Sequence, residues 1–225
     1  HGAFAEYVAV PQRILYRLPQ DLSFVRASLV EPVSVAFHAV ERTKISLNDT
    51  AVVVGSGMIG LLVIQALRIA GCGQIVAVDI DADRLEMARS LGADLTFKSD
   101  EADVVSQVRA ATGGRGADIS FEVVGVTPTV DLAARCLRKG GSLTLVGNLS
   151  PQVELPLQAV VTRELTLNGS CASNGEYPAC FDMINRGAVN VDALISAVAP
   201  LSEGASWFQR LYNREPGLMK VVLEP

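Results

Sequence analysis

The chain has 225 residues, 49% of them hydrophobic and 19% charged, with 19 basic against 24 acidic residues and a formal net charge of −5. That length suits one large domain or one domain with appendages, and the composition supplies a sizeable core and argues against disorder. Two partner classes are excluded: no basic stripe interleaved with aromatics points to nucleic acid, and no apolar run approaches the roughly 18 residues that a membrane span needs.

In chain order, residues 4–10 alternate like a strand and 11–19 read as loop. Residues 33–42 form an apolar helical stretch with Glu31 and Pro32 at its opening, where the missing proline N–H costs little. His38 within it is a packing or surface histidine rather than a catalytic one, and Arg42 and Lys44 solvate the helix end. Strands and helices then alternate. Residues 51–54 are a strand, 58–70 a helix stopped by Gly71, 74–79 a strand, and 82–91 a helix capped by Asp81 and stopped by Gly92. Residues 94–97 are a short third strand, and Ser99 caps a helix over 101–112 that ends in Gly113-Gly114. Residues 118–123 are a fourth strand, 127–137 a helix with Pro128 early in it, and 142–146 and 165–169 the fifth and sixth strands. This alternation predicts an α/β fold, a doubly wound parallel six-stranded sheet with its ligand crevice beyond the strand C-termini. A helix over 202–213 and a strand over 218–223 stand outside that pattern and suggest, with the first residues, pieces of another domain.

The most specific motif is Gly55-Ser56-Gly57-Met58-Ile59-Gly60, which follows the first strand and opens a helix, with Asp79 closing the second strand. That context marks a dinucleotide-binding βαβ unit. Gly55 turns the chain out of the strand, Gly57 lets a pyrophosphate approach the backbone, and Gly60 lets the helix lie against the sheet. The pyrophosphate sits on the helix N-terminus at Met58 and Ile59. Asp79 accepts hydrogen bonds from the adenosine ribose and its charge favours NAD over NADP; Arg84 contacts the adenine or softens that repulsion. The plainer reading is that Asp79 and Asp81 only cap the next helix. Further on, Val124-Gly125-Val126, Val146-Gly147-Asn148 and Cys171-Ala172-Ser173 follow the fourth, fifth and sixth strands, where the crevice places ligand, although glycines also end strands as ordinary turns.

The four cysteines, Cys72, Cys136, Cys171 and Cys180, form no CxxC pair and match no zinc-ribbon spacing. They read as reduced thiols of a cytoplasmic protein, mostly buried. The two histidines, His1 and His38, are too few for a histidine metal cluster.

These features, together with Gly2-Ala3-Phe4-Ala5-Glu6-Tyr7-Val8, Glu31-Pro32-Val33-Ser34-Val35, Gly113-Gly114-Arg115-Gly116-Ala117-Asp118, Lys139-Gly140-Gly141 and Glu215-Pro216-Gly217, span nearly the whole chain. On them the chain resembles the medium-chain dehydrogenase/reductase superfamily, and within it the zinc-dependent polyol branch typified by sorbitol dehydrogenase, with threonine and galactitol-phosphate dehydrogenases as relatives. The resemblance implies hydride transfer to NAD from a secondary alcohol or polyol bound to zinc. It implies that Val124, Gly125, Val146, Gly147, Asn148, Ala172 and Ser173 wall the nicotinamide and bind its carboxamide. It also implies that an N-terminal GroES-like catalytic domain, with the Cys and His zinc ligands, is missing from this chain. On that reading residues 1–27 and 173–225 are remnants or returns of that domain, residues 28–172 are the NAD-binding Rossmann domain, and the chain alone is inactive.

Glu31 stands where the family places an acidic residue facing the catalytic zinc, as ligand or as holder of its water. One carboxylate does not make a zinc site, so it is expected to be unliganded here. The family's edge-strand pairing implies a homo-oligomer, dimer or tetramer, through residues 164–170. Two alternatives stay open: a non-catalytic NAD(H)-binding protein, and a zinc-free reductase of the quinone-reductase branch.

Overall fold

The computed structural model describes residues 2–100 and 103–225. By backbone contacts the chain divides into two compact units, one made of His1–Glu31 with Gly175–Pro225 and the other of Pro32–Asn174. The helices in chain order are α1 (Phe24–Ala27), α2 (Val30–Glu41), α3 (Met58–Ile69), α4 (Ala82–Ser90), α5 (Val104–Ala111), α6 (Thr127–Cys136), α7 (Leu157–Thr162), α8 (Tyr177–Asn185) and α9 (Gly204–Tyr212). The strands are β1 (Thr50–Val54), β2 (Gln74–Asp79), β3 (Leu95–Lys98), β4 (Ala117–Glu122), β5 (Leu137–Leu145), β6 (Thr166–Gly169), β7 (Ile195–Pro200) and β8 (Lys220–Glu224).

The larger unit is the doubly wound sheet that the alternation predicts. Its six strands run in the order β3-β2-β1-β4-β5-β6, and every pairing is parallel. Parallel strands covered on both faces read as continuous apolar runs, and Ala51–Val54 and Ile75–Val78 are buried throughout. On one face Val52, Val54, Val76, Val78 and Leu143 pack with Val104 and Val108 of α5 and Ala133 and Ala134 of α6. Helix α3 is buried from Gly60 to Leu67, Gln65 included. Apart from Gln65 that buried stretch is apolar on every face, as a buried helix is.

Most helix ends follow the sequence. Asp81 caps α4 by accepting from Asp83 and Arg84 N–H at 2.9 and 3.3 Å. The fifth helix differs. Its cap is Asp103, whose carboxylate accepts from Ser106 N–H at 3.2 Å and Ser106 Oγ at 2.6 Å. Ser99 instead donates its N–H to Asp79 O at 3.0 Å and so extends the strand ladder. Residues 101 and 102 of the expected helix lie outside the described residues. Strand β5 starts at Leu137, five residues before the expected 142, because its ladder with β4 continues through an irregularity between Ala117 and Ile119.

In the smaller unit β7 and β8 pair in parallel. The strand expected over residues 4–10 does not form: alternation supplies a face but no partner, and a strand needs a neighbouring ladder. What holds this stretch is aromatic, Phe4 meeting Phe208 edge to face at 5.4 Å between centroids. Tyr16, Tyr177 and Phe181 form a second ring cluster. Arg26 donates to Ile184 O at 2.9 Å and pairs with Asp192 at 3.2 Å.

Candidate functional site

Strand β1 delivers the chain to Gly55, which adopts φ +101°, a left-handed conformation that side chains rarely tolerate. A Cβ there would also lie 2.6 Å from Val124 Cγ2. One helical turn on, a Cβ on Gly60 would overlap Gly55 O, so α3 can start this close to the strand only with glycine. A Cβ on Gly57, by contrast, meets nothing within 4 Å: the space beside that backbone is open. Gly57 is the N-cap and offers no side chain to the helix. Among the described residues the N–H groups of Met58, Ile59 and Gly60 find no backbone acceptor. An uncapped helix of 12 residues therefore ends in free donors and the positive end of its dipole.

Asp79 stands beside this loop at the end of β2, 7% exposed. Its Oδ2 accepts from Ser56 N–H at 2.6 Å and its Oδ1 from Ile80 and Asp81 N–H at 2.8 and 3.0 Å. The carboxylate thus ties the glycine loop to the end of β2 and caps no helix, a role that belongs to Asp81. A carboxylate has about four acceptor positions, so three amides leave room for one more donor. Arg84, exposed in the first turn of α4, lies 3.7 Å from Asp81 Oδ2.

The exits of β4 and β5 are joined. Glu122, wholly buried, closes β4 and binds the N–H groups of Val124 and Gly125 with its carboxylate. Its carbonyl accepts from Val146 and Gly147 N–H at 2.9 and 3.0 Å. Gly125 is buried, Val124, Val146 and Gly147 are half-buried, and Asn148 is exposed. After β6, Ala172 takes φ +54°, a conformation rare for alanine, beside half-buried Ser173. Arg42, expected only to solvate a helix end, donates to Gly169 O at 2.9 Å and anchors the last residue of β6. Glu122 is the residue that sequence reading passed over. Its one signal is a carboxylate at the last position of a strand that ends at the crevice.

Glu31 is the second residue of α2 and exposed, with a partner of its own. Among the described residues no group of three or more His, Cys, Asp or Glu side chains stands close enough to hold a metal ion. The donor set does not fit zinc, which takes four ligands, or three and a water. Cys72, Cys136 and Cys180 are buried and Cys171 exposed, all as free thiols. Burial pushes the Cys72 thiol up to about 11 and those of Cys136 and Cys180 up to about 12, so these three are inert at neutral pH. No described helix is long and apolar enough to cross a membrane.

Comparison with known proteins gives a consistent result. A family model described as zinc-binding dehydrogenase matches residues 59–186. The chain is 33% identical over 224 residues to (R,R)-butanediol dehydrogenase of Bacillus subtilis strain 168, covering 100% of this chain and 64% of that protein. It is 30% identical over 226 residues to sorbitol dehydrogenase of the same strain, again covering 100% and 64%. The crystal structure of the B. subtilis 2R,3R-butanediol dehydrogenase superposes with a TM-score of 0.92 over 100% of this chain and 64% of that one. A structure from Sinorhizobium meliloti 1021 bound to NADP is 28% identical with a TM-score of 0.90, over 100% of this chain and 66% of that one. The chain thus spans just under two thirds of the length of these relatives.

Proposed function

The chain belongs to the zinc-binding dehydrogenase family, and from that premise we propose that it is the nicotinamide-dinucleotide-binding portion of an oxidoreductase that interconverts a secondary alcohol or polyol and its ketone. The observation that carries the reading is the uncapped N-terminus of α3 opening beside Gly57, with the Asp79 carboxylate fixed next to it. The free N–H groups of Met58 and Ile59 receive the pyrophosphate. Asp79 offers its remaining acceptor position to the adenosine ribose and disfavours a 2′-phosphate, so NAD is preferred; Arg84 moderates that preference. Val124, Gly125, Val146, Gly147, Asn148, Ala172 and Ser173 line the nicotinamide half. The bound nicotinamide supplies the hydride acceptor. The residues of this chain hold and orient it, and orientation is a large part of the rate. The described residues lack a ligand set for zinc, and Glu31 is proposed as a carboxylate near a metal only in a longer protein. On the same reading the flanking residues 1–27 and 173–225 belong with a catalytic domain. The edge position of β6, with exposed Leu157 and Val161 in the preceding α7, supports self-association through that edge.

Calorimetric titration with NADH and NADPH tests the proposal. Preference for NADH is the expected result. Equal or stronger NADPH binding would mean that Arg84 overrides Asp79, and a folded chain that binds neither would refute the cofactor reading.

A further inference from the structure

Glu122 is a fully buried carboxylate that serves no ion pair among the described residues. Its Oε1 accepts three hydrogen bonds, from Val124 N–H at 2.9 Å, Gly125 N–H at 2.8 Å and Thr129 Oγ1 at 2.7 Å. Its Oε2 is buried and has no partner among the described residues. Burying a charge is costly and half of this carboxylate gains nothing for it, so a strand end that needed only packing would be better served by an apolar side chain. What the carboxylate does gain is control of two elements, the exit loop of β4 through two amides and the start of α6 through Thr129, while the backbone carbonyl of the same residue holds the exit loop of β5. Those loops are locked further, since Gly125 and Gly147 pack backbone on backbone and a Cβ on either would overlap the other. Ser150 N–H then bonds Gly125 O at 2.9 Å. The β4 exit also touches the glycine loop, where Val124 fills the space beside Gly55.

We propose that Glu122 is a positioning residue for the nicotinamide half of the cofactor site, one carboxylate that fixes the β4 exit loop, against whose Gly125 the β5 exit loop packs. This rests on the cofactor reading above. Glu122 does not touch the cofactor. It acts through Val124, Gly125 and Gly147, so its loss should be felt by the nicotinamide end of the ligand and not by the adenosine end, whose anchors are Asp79 and the α3 N-terminus.

The test compares NADH with ADP-ribose, which lacks the nicotinamide, on wild type, Glu122→Gln and Thr129→Val, with folding checked by circular dichroism. Glu122→Gln keeps an acceptor at Oε1 but removes the charge that strengthens all three bonds. NADH binding is expected to weaken roughly three- to tenfold while ADP-ribose stays within about twofold. Thr129→Val, which removes one donor, shifts NADH the same way by a smaller factor and keeps the test decisive if the Gln variant fails to fold. In the ligand-free protein, amide exchange at Val124 and Gly125 quickens in the Gln variant while that at the glycine loop stays as in wild type. Equal weakening of both ligands in folded variants, or no change in either binding or exchange, overturns the proposal. Wild type that binds neither ligand overturns the cofactor reading itself, and the exchange result then still reports whether Glu122 tethers the loop.

Discussion

Replacing Asp79 by asparagine tests the structural and the binding part of the site in one variant. The carboxylate accepts three backbone N–H bonds, one on Oδ2 and two on Oδ1. Asparagine has one acceptor atom and one donor atom in their place. If the amide nitrogen takes the Oδ2 position, Ser56 N–H loses its acceptor. If it takes the Oδ1 position, Ile80 and Asp81 N–H lose theirs. Whichever way the side chain sits, at least one donor in a region where Asp79 is 7% exposed is left unpaired, at a cost of about 1–3 kcal/mol. At the middle of that range, and with a chain of this size losing about 2–4 °C for each kcal/mol, the melting temperature falls by roughly 4–8 °C. Removing the charge also removes the strong acceptor for the ribose and the repulsion of a 2′-phosphate, so NADH weakens and the NADH-to-NADPH affinity ratio falls by roughly tenfold or more. Differential scanning calorimetry and titration with both nucleotides read the two effects separately. A melting temperature within about 1 °C of wild type would refute the role of Asp79 as the tie between glycine loop and β2. An unchanged ratio would refute its role in choosing the cofactor.

Other variants probe the frame of the site. Asp118, almost buried at the start of the core sheet, accepts from Thr50 N–H at 2.9 Å and Arg138 Nε at 2.6 Å and pairs with Arg115 at 3.2 Å. Burial alone would raise its carboxyl, but the Arg138 bond, the Thr50 amide and the two guanidinium charges hold it below the ordinary carboxylate range. A lowered folded-state value means that its stabilisation is present above the unfolded-chain value and is lost as pH falls through the folded one. Asp118→Asn should destabilise by about 2–3 kcal/mol at neutral pH, and the gap to wild type in urea melts should close as the buffer is acidified; a gap that stays constant with pH would refute the assignment. A thiol reagent at pH 8 should label Cys171 first, because it alone of the four is exposed, and the other three only on unfolding; early labelling of Cys136 would contradict its burial. Zinc added to the purified 225-residue chain with NAD and a polyol should give no oxidation, and turnover would show a metal site that the described residues lack.

Local chemistry alone made much of the nucleotide-binding unit readable. The apolar run to Val54, the glycines at 55, 57 and 60 and the acidic end of β2 each have a short-range physical cause, and the observed β1, α3 and β2 match the expected ones within a residue or so. The parallel sheet follows from the regular alternation, since parallel strands need crossover helices. Pairing is another matter. Residues 4–10 carry a strand pattern without a strand, whereas β7, 20 residues before β8 by chain and without clear punctuation, forms one because β8 lies beside it. Asp103 caps the fifth helix in place of the expected Ser99 because the helix begins at Val104, directly after it. Sequence by itself therefore determined the fold class and the glycine turn that opens α3, where Gly55 and Gly60 act on each other within one helical turn. Only the tertiary structure decided that the β4 and β5 exits meet at Glu122, because the register that sets Glu122 opposite Leu145 joins residues 23 apart in the chain and no local preference encodes a contact at that range.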